Sequence, residues 1–600
     1  MRKIFILILA ALMLCLSGCN AVISDNSASA EEVSRSSVTS STSTAYGFTF
    51  DSDDFDYTLS DPVYVTLSNE NYYINSGGTY VFTGESSSSI IVDAGKDSKV
   101  RLVLDNVNIS TEDFAAIYVV SAKKTTVTLN EGSVNYLKDN GSYTQIDENN
   151  VDAIIFSKDD LVLNGTGTLN IETANHGIVS KDDLTFIDGS YNITASGQGI
   201  RGKDSVLIND GSYSIISGKD SIKSDNEEDE YRGYVYIAGG DFHIESMGDG
   251  IYGYNLIRID DGTFSIETSS SSENSSYKGI KTDGDIQIYG GNFSIDTYDD
   301  SIHSNGSIEI NGGTFTLSTE DDGIHADNEL TVNDGNIIIS KSYEGLEGTV
   351  ITINGGDINI TSEDDGINAA SGGAGNSWDM DHGGRKEDFT GNMPQVNTPD
   401  TPVNSDGETY TPLSYTSPAF NGANTDSSIK LIINGGNIYV NATGDGIDSN
   451  GSIEINGGTV YVNGPNSNGD SSFDYDGEGI INGGEVLMLG SSGMASGFSS
   501  SSSQVNLLYC LSTSYGAGST VRIIDSSGNT ILEMTSIRSF NCIHASSSLF
   551  EQGMNILIQI DNDTYEYTLD SICNTSGASG GFFNDKGNKG SFNGNNPGRS

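Results

Sequence analysis

Hydrophobic and polar residues alternate in short runs along most of the chain. In one stretch, Ile308 and Ile310 are followed, after a Gly-Gly turn, by Phe315 and Leu317. The same spacing recurs at Ile351, Ile353, Ile358 and Ile360, and at Ile453, Ile455, Val460 and Val462. Alternation with period two over runs this short is typical of β-strands and not of helices. The pattern therefore predicts an all-β fold.

These runs belong to a repeat. The unit INGGTFTLSTEDDGIHAD, from Ile310 to Asp327, has close copies that begin at Ile288, Ile353 and Ile433. A glycine or serine near the end of each unit marks a turn, and these turn residues are Gly177, Gly199, Ser221, Gly250, Gly279, Ser301, Gly323, Gly345, Gly366 and Gly446. Most steps between them are 22 residues, two steps of 29 hold short polar inserts, and one step of 80 holds a long insert.

The short strands of one repeat cannot bury an apolar face alone, so neighbouring repeats must stack and share one core. We expect a right-handed parallel β-helix with about 22 residues per rung, because parallel crossovers are right-handed. Asparagines at one turn position favour this stack, since side-chain amides can hydrogen-bond from rung to rung. They are Asn311, Asn333, Asn354, Asn434, Asn456 and Asn482. A β-propeller is the alternative, but its blades need about 40 residues and four strands.

The repeat divides the chain into segments of different kinds. We predict a lipoprotein signal peptide (1–18), a Ser/Thr-rich tether (19–45), an N-terminal β cap (46–89), a β-helical domain (90–490) with a projecting insert (371–427), a small C-terminal β module (491–573) and a disordered tail (574–600).

The first residues carry an export signal. Arg2 and Lys3 precede an apolar stretch from Ile4 to Leu16 that is too short to span a bilayer comfortably. The sequence Leu-Ser-Gly-Cys that ends at Cys19 resembles the lipobox of bacterial lipoproteins, in which that cysteine is lipidated. We therefore expect an extracellular protein, lipid-anchored to the outer face of the bacterial cell membrane. An ordinary secretory signal with an incidental cysteine is the alternative.

Charge excludes one class of partner and cysteine content leaves one question open. The chain has 28 Lys and Arg against 83 Asp and Glu, a net charge of −55. Such a chain repels phosphate backbones, so no nucleic-acid partner is expected. We also expect a monomer. Of the late cysteines Cys510, Cys542 and Cys573, two at most can pair within the chain, and the pairing stays open.

The acidic residues recur at fixed places beside the turns. Stacked repeats would place them in columns, where like charges repel, and Ca²⁺ relieves that repulsion because it takes six to eight oxygen ligands. We therefore expect several Ca²⁺ ions held by Asp220, Asp225, Asp249, Asp283, Asp299, Asp300, Asp321, Asp322, Asp327, Asp364, Asp365 and Asp445. A solvated acidic face without metal is the alternative.

A second column lies two residues after the turn residue. It contains Arg201, Lys223, Tyr252, Lys281, His303 and His325. Cations beside calcium-loaded turns suit an acidic polymer, and aromatic faces pack against sugar C–H groups. We expect this column to bind polysaccharide. Ion pairing of its cations with neighbouring aspartates is the alternative.

Longer phrases resemble a known family. IIVDAGKDSKVRLVLDNVNI, FSKDDLVLNGTGTLNI, NHGIVSKDDL, QGIRGKDSV, SIKSDN and DYDGEGIINGG, in this order across residues 46–495, are similar to the carbohydrate-binding lipoprotein family of clostridial cell-surface proteins. The resemblance implies a calcium-binding right-handed parallel β-helix, similar in shape to pectate lyases. It also implies binding of acidic plant polysaccharide such as polygalacturonate or pectin, and of cellulose.

The resemblance implies a binding protein and not an enzyme. A calcium-dependent polysaccharide lyase is the first alternative, because such enzymes pair Ca²⁺ with an Arg or Lys base. The repeated columns contain no singular cluster of that kind, so we expect no lyase activity and no catalytic residue. A structural surface adhesin is the second alternative.

Overall fold

The structure is a computed structural model that describes residues 48–269, 276–371 and 427–577. The signal peptide, Cys19 and the tether lie outside the described residues, as do positions 372–426 of the predicted insert and 578–600 of the predicted tail. No helix in these three ranges is long and apolar enough to cross a membrane.

Apart from the 3₁₀ turn Ser52–Phe55, the regular elements of the described residues are strands. The first group is β1 (Val63–Thr66), β2 (Tyr72–Ile74), β3 (Gly78–Ser86), β4 (Ile90–Ser110), β5 (Ile117–Leu129), β6 (Val134–Lys138), β7 (Ala153–Ser157), β8 (Leu161–Gly165), β9 (Thr168–Thr173), β10 (His176–Ser180), β11 (Asp183–Phe186), β12 (Ser190–Ala195), β13 (Ile200–Gly202), β14 (Ser205–Ile208) and β15 (Ser212–Ser217). The second is β16 (Ile222–Ser224), β17 (Tyr234–Ile237), β18 (Asp241–Ser246), β19 (Ile251–Gly253), β20 (Leu256–Ile259), β21 (Thr263–Thr268), β22 (Ile280–Thr282), β23 (Asp285–Ile288), β24 (Asn292–Thr297), β25 (Ile302–Ser304), β26 (Ile308–Ile310), β27 (Thr314–Thr319), β28 (Ile324–Val332), β29 (Asn336–Lys341) and β30 (Leu346–Ile353). The third is β31 (Asp357–Thr361), β32 (Ile367–Ala369), β33 (Lys430–Ile433), β34 (Asn437–Asn441), β35 (Ile447–Ser449), β36 (Ser452–Ile455), β37 (Thr459–Asn463), β38 (Gly479–Ile481), β39 (Glu485–Gly490), β40 (Asn506–Tyr515), β41 (Thr520–Asp525), β42 (Thr530–Thr535), β43 (Phe540–Ser546), β44 (Met554–Ile560), β45 (Asp563–Leu569) and β46 (Cys573–Ser576).

Each repeat contributes three strands, and each strand pairs in parallel with its counterpart in the next repeat. In one repeat these are β25, β26 and β27. Ile302 of β25 lies between Ile280 and Ile324, its counterparts in the preceding and following repeats. The strands thus form one long, mainly parallel sheet that runs around each repeat in turn. The predicted all-β class with stacked repeats is confirmed.

The core consists of side chains of similar type that lie one above another. Tyr191, Tyr213, Phe242, Phe264, Phe293 and Phe315 form an unbroken ring stack whose consecutive centroids are 4.7 to 5.2 Å apart. Such aromatic pairs contribute about 0.5–1.5 kcal/mol each beyond the area they bury. A glycine two residues before each ring allows this packing: at Gly313, φ is 109° and the carbonyl oxygen of Gly291 would lie 3.1 Å from an added Cβ.

The predicted asparagine ladder is confirmed. The Nδ2 of each asparagine donates to the Oδ1 of the one before it, at 2.8 to 3.0 Å, from Asn482 back to Asn311. The bond from Asn434 to Asn354 crosses the 80-residue step at 2.8 Å. Repeats on the two sides of the insert are therefore direct neighbours in the stack.

The N-terminal end of the stack differs from the predicted boundary. Parallel pairing already begins at β1 with β3, inside the segment predicted as a cap. Residues before it lie along the side of the stack, where Lys124 Nζ contacts Asp51 Oδ2 at 2.8 Å and the ring of Phe50 lies 5.8 Å from that of Tyr236.

The C-terminal module closes the other end. Strand β43 pairs antiparallel with β39, the last strand of the stack, and β41, β42, β44 and β45 form a separate antiparallel sheet. Cys510 and Cys542 form the disulfide that the sequence left open, and Cys573 stays a thiol. Strand β46 extends to Ser576, into the first residues of the segment predicted as a tail.

Candidate metal and polysaccharide site

The residue immediately before each turn residue faces its counterpart in the next repeat. The backbone shows the stacking: the Ser301 N–H donates to the carbonyl of Asp322 at 3.0 Å, and that of Gly323 to Glu344 at 2.9 Å. We call this set the pre-turn column. It consists of Asp220, Asp249, Lys278, Asp300, Asp322, Glu344, Asp365 and Asp445.

The aspartates of the pre-turn column have a structural task that the sequence did not reveal. Asp300 Oδ1 accepts the backbone N–H of Asp322, and Asp322 Oδ1 accepts that of Glu344, each at 3.1 Å. The same bond joins Asp220 to Asp249, Asp249 to Lys278, Asp365 to Asp445 and Asp445 to Ser471. Hydrogen bonds to a carboxylate are stronger than neutral ones. One oxygen of each carboxylate therefore ties two repeats together, and the other remains for side chains or ions.

The column predicted to bind ligand is also a single column in the structure. Arg201, Lys223, Tyr252, Lys281, His303 and His325 are consecutive register partners. We call it the facing column. The structure continues it through Glu347, Asn368 and Asp448, and the backbone N–H of Asp474 extends it to the next repeat. The signal for Glu347, Asn368 and Asp448 was present, since they also lie two residues after the turn residue. Asp474 follows a step of irregular length.

At its N-terminal part the facing column is cationic and its charges are matched. Lys223 Nζ lies 2.7 Å from Asp220 Oδ2. The guanidinium of Arg201 donates to both oxygens of Asp225, at 3.2 and 2.7 Å. We call these four residues the cationic zone. Two predicted calcium ligands, Asp220 and Asp225, thus have cationic side chains as partners.

Hydroxyl groups of tyrosine and serine donate hydrogen bonds to two other predicted metal ligands. The Tyr252 hydroxyl donates to Asp283 Oδ2 at 2.8 Å, and Lys223 Nζ lies 4.5 Å from the centre of the Tyr252 ring. Asp249 is buried, which raises its pKa, and its Oδ1 accepts from the Ser276 hydroxyl at 2.7 Å. Each of these carboxylates is held by protein donors.

Lys278 replaces an aspartate in the pre-turn column. Its Nζ lies 2.6 Å from Asp299 Oδ1 and 2.6 Å from Asp300 Oδ2. Burial opposes its charged form, but these two carboxylates raise its pKa above the usual value. Carboxylate oxygens of Asp299, Asp300 and Asp321 lie within 4.8 Å of one another. Burial and the charges of its acidic neighbours raise the pKa of Asp321 to about 7.

Two histidines occupy the middle of the facing column among carboxylates. His303 Nδ1 lies 2.7 Å from Asp300 Oδ2. His325 Nδ1 lies 3.4 Å from Asp322 Oδ2 and 3.1 Å from Glu347 Oε2. We call these five residues the histidine zone.

Carboxylate oxygens lie near both nitrogens of the His325 ring. Its Nε2 lies 3.3 Å from Asp327 Oδ1, on the side away from Asp322 and Glu347. Burial lowers the pKa of His325, but the surrounding carboxylates outweigh burial and raise it to about 11. The surrounding carboxylates thus favour a positive charge at this place in the column.

The last part of the columns has acidic residues on both sides. Carboxylate oxygens of Asp445, Asp448 and Asp474 lie within 4.8 Å of one another, and Asp365 precedes them in the stack. We call these four residues the acidic zone. Burial first, and the neighbouring carboxylates second, raise the pKa of Asp365 to about 7 and those of Asp445 and Asp448 to about 8 each. Among the described residues, no Lys, Arg or His nitrogen lies within 4.0 Å of these carboxylates.

Acidic side chains also lie outside the three zones. Asp364, a predicted calcium ligand, precedes Asp365, and its carboxylate raises the pKa of Tyr343 through a hydrogen bond. A third acidic cluster, Asp160 with Asp182 and Asp183, was not predicted to bind metal. Burial and these neighbours raise the pKa of Asp160 to about 6.

A groove of about 950 Å³ runs along the stack beside the pre-turn column. Its wall includes Met247 and Tyr298, which are 45% and 46% exposed, and both precede a pre-turn residue by two positions. Its acidic lining consists of Glu245, Glu267, Asp296 and Glu320. Exposed apolar surface between carboxylate acceptors is suited to a ligand with many hydroxyl groups.

The sequence profile of the family of carbohydrate-binding domain-containing proteins matches residues 68–323 and 316–470. The chain belongs to this family. A carbohydrate-binding domain-containing protein of Acetivibrio thermocellus is 39% identical over 228 residues, which is 37% of this chain and 77% of that protein. A solved structure titled as the gadolinium derivative of the polysaccharide lyase-like protein from C. thermocellum is 31% identical. It covers 38% of this chain and 96% of the other, with a TM-score of 0.35.

The region shared with the family contains most of the site. The groove and the pre-turn column as far as Asp445 lie within the matched residues, whereas Asp474 and the C-terminal module lie beyond them. The predicted resemblance is therefore confirmed at the level of the carbohydrate-binding family. The lipid anchor, the calcium ions and the acidic ligand stay predictions.

Proposed function

We propose that this protein binds plant-type polysaccharide at the bacterial surface through a calcium-loaded face of a right-handed parallel β-helix. The ligand is an acidic polymer such as polygalacturonate or pectin, with cellulose as a second ligand, and the protein does not cleave it. Membership of the carbohydrate-binding family supports the polysaccharide part of this proposal. The lipobox at Cys19 supports the anchor.

The acidic zone is the observation that carries the calcium part. Asp445, Asp448 and Asp474 bring carboxylate oxygens within 4.8 Å of one another, and Asp365 adds a fourth acidic side chain. Oxygen-only donors in this number suit Ca²⁺, which binds carboxylates, carbonyls and water in flexible geometry. A bound ion would also hold these carboxylates ionised at neutral pH, against the effect of their burial.

The remaining predicted ligands fit calcium to different degrees. Asp299, Asp300 and Asp321 converge, but Lys278 already supplies a positive charge there. Asp220 and Asp225 have Lys223 and Arg201. We therefore place the first calcium ion in the acidic zone.

The groove is the proposed seat of the sugar chain. Met247 and Tyr298 offer apolar surface to sugar rings, and the carboxylates of the lining accept hydrogen bonds from hydroxyl groups. For a polyuronate, whose own carboxylates are repelled by this lining, Ca²⁺ must bridge the two. Calcium dependence is thus expected for polygalacturonate and not for cellulose.

Affinity electrophoresis of the purified full chain tests this proposal. In gels that contain polygalacturonate, Ca²⁺ should retard migration and a calcium chelator should abolish the retardation. The double variant Asp445→Asn, Asp448→Asn should be retarded less than the parent, because it loses the calcium ion of the acidic zone and keeps the groove. Glu566→Gln, which removes an exposed charge from β45, is the matched control and should behave as the parent. Unretarded migration of the parent with Ca²⁺ present would contradict the proposal and favour the structural adhesin.

The lyase alternative has one observation in its favour. Within the described residues, Lys281 is the only cation at the predicted binding positions Arg201, Lys223 and Lys281 that lacks a carboxylate within 4.0 Å. A lyase would produce unsaturated uronide absorbance from polygalacturonate and Ca²⁺, and Lys281→Ala would abolish it. We expect no such absorbance from the parent chain.

A further inference from the structure

Three donor atoms of the histidine zone converge from two adjacent repeats. Asp322 and His325 belong to one repeat, and Glu347 is the register partner of His325 in the next. His325 Nδ1 lies 3.4 Å from Asp322 Oδ2 and 3.1 Å from Glu347 Oε2, and the three atoms lie within 4.8 Å of one another. We propose that Asp322, His325 and Glu347 bind a transition-metal ion of the zinc class, separate from the calcium ions of the acidic zone.

The spacing of the donors fits a tetrahedral ion. Zinc binds imidazole nitrogen and carboxylate oxygen at about 2.0–2.2 Å, so two ligand atoms of one tetrahedron lie roughly 3.3–3.5 Å apart. The two distances from His325 Nδ1, 3.4 and 3.1 Å, are close to this edge length. Small side-chain movements are enough to seat the ion, and a fourth position remains for water or a sugar hydroxyl.

The ligands are also oriented by their other atoms. Asp322 Oδ1 accepts the backbone N–H of Glu344 at 3.1 Å, which leaves Oδ2 to face His325. His325 Nε2 lies 3.3 Å from Asp327 Oδ1, so a carboxylate stands behind the ring and Nδ1 is the nitrogen that faces Asp322 and Glu347. A carboxylate behind a ligating imidazole is the usual outer partner of a metal-bound histidine. This gives Asp327, a predicted calcium ligand, a positioning role instead.

Donor chemistry and charge separate this site from its neighbours. One imidazole and two carboxylates favour zinc-class ions over Ca²⁺ and Mg²⁺, which take oxygen ligands. A divalent ion balances the charges of Asp322 and Glu347 with a neutral His325. At the adjacent group of Asp300 and His303, Lys278 already provides a cation 2.6 Å from Asp300 Oδ2. The metal is therefore assigned to Asp322, His325 and Glu347.

Metal titration of the purified full chain tests the site. After chelation, and in the presence of millimolar Ca²⁺, calorimetry with Zn²⁺ should show binding that excess Ca²⁺ does not displace. Co²⁺ at the same site should give the visible absorption of four-coordinate cobalt, and Zn²⁺ should remove it. Asp327→Asn should weaken binding by about 10- to 100-fold, the usual effect of losing an outer partner. His325→Ala and Glu347→Gln should weaken it further.

Controls separate this proposal from loss of folding and from the calcium proposal. His243→Ala removes an exposed histidine that lies 3.5 Å from Glu245, and it should leave zinc binding unchanged. Circular dichroism of each variant checks the fold, and Glu347→Gln is the conservative variant if His325→Ala does not fold. The Asp445→Asn, Asp448→Asn chain should still bind Zn²⁺, so the two proposals fail independently. Absence of zinc binding, displacement by Ca²⁺, or unchanged binding in both ligand variants would overturn the site.

Discussion

The cationic zone and the acidic zone occupy equivalent positions of the same two columns, yet they neutralise stacked carboxylates in opposite ways. In the first, Lys223 stands three residues after Asp220 and pairs with it at 2.7 Å. In the second, Asp448 stands three residues after Asp445 and adds to the repulsion. Lys223 and Asp448 lie at the middle of equivalent strands, β16 and β35. One side chain per repeat therefore decides whether a turn carries its own counter-ion or leaves its carboxylates without one.

Converting one zone into the other should give the largest effect. Asp448→Lys places an ammonium where Lys223 stands in the cationic zone, so it should replace the calcium ion. A ligand at about 1,000 times its Kd stabilises a fold by about 4 kcal/mol. We expect the parent to lose stability on this scale when Ca²⁺ is chelated and Asp448→Lys to lose little. Thermal unfolding with and without chelator measures both, with Glu566→Lys as the control. Equal sensitivity of Asp448→Lys and the parent would refute the equivalence of the zones.

Metal-free protein should show the difference between zones as a function of pH. Burial and mutual repulsion raise the pKa values of Asp445 and Asp448 to about 8 in the fold, whereas an unfolded aspartate titrates near 3.8. The native state therefore binds more protons than the unfolded state between these values, and stability falls as pH rises from about 4 to about 8. One pKa unit corresponds to about 1.4 kcal/mol, so we expect the loss over this range to amount to several kcal/mol. Denaturant unfolding in chelator should show this slope, and Asp445→Asn, Asp448→Asn should flatten it.

Removal of the cation from the cationic zone should have a smaller effect. Lys223→Ala leaves Asp220 without its cation in a partly buried place, and we expect a loss of about 1–2 kcal/mol, between exposed and fully buried pairs. Added Ca²⁺ should restore part of this loss, because Asp220 then resembles Asp445. Urea unfolding with and without Ca²⁺ measures the effect. Lys430→Ala, at an exposed lysine on β33, is the control. No calcium response in Lys223→Ala would mean that neighbouring side chains prevent an ion from entering.

The smallest effect should come from the asparagine ladder, which runs from Asn311 to Asn482 at a different turn of the repeat. Asn333 accepts from Asn354 and donates to Asn311, each at 2.8 Å. Asn333→Ala should cost about 1 kcal/mol, the usual net value of a hydrogen bond. The loss should be the same with and without Ca²⁺, as judged by thermal unfolding. A calcium-dependent loss would show that this corner of the repeat is coupled to the metal-binding turns.

Much of the fold could be predicted because one structural unit is written many times. The alternation around Phe315, the Gly-Gly turns and the asparagine at position 333 each recur at the same spacing, so every copy supports the others. The C-terminal module was predicted only as β-rich, because strand β43 pairs antiparallel with β39 through contacts that no period announces.

The site could be predicted less well, for a physical reason. The repeat spacing identifies which residues share a column. Which neighbour a side chain contacts depends on the positions of its atoms to within a few tenths of an ångström. Lys278 was readable as the residue before a turn, yet only coordinates show that it reaches both Asp299 and Asp300. The hydrogen bond that a carboxylate Oδ1 accepts from the next repeat's backbone N–H leaves no mark of its own in the sequence. Asp474 follows a repeat of unusual length, so counting did not reach it.

The direct pairing of β32 with β35 has a consequence for how this chain can change. Strand β33, the first strand described after the 80-residue step, pairs with β30, so the stack is continuous across this step. The entropy of closing a flexible loop rises only with the logarithm of its length, about 0.6 kcal/mol per doubling. A solenoid joined in this way tolerates insertion, deletion or exchange of whole segments at this point for little free energy. Evolution and protein engineering can thus use the same junction to add new binding elements beside an unchanged scaffold.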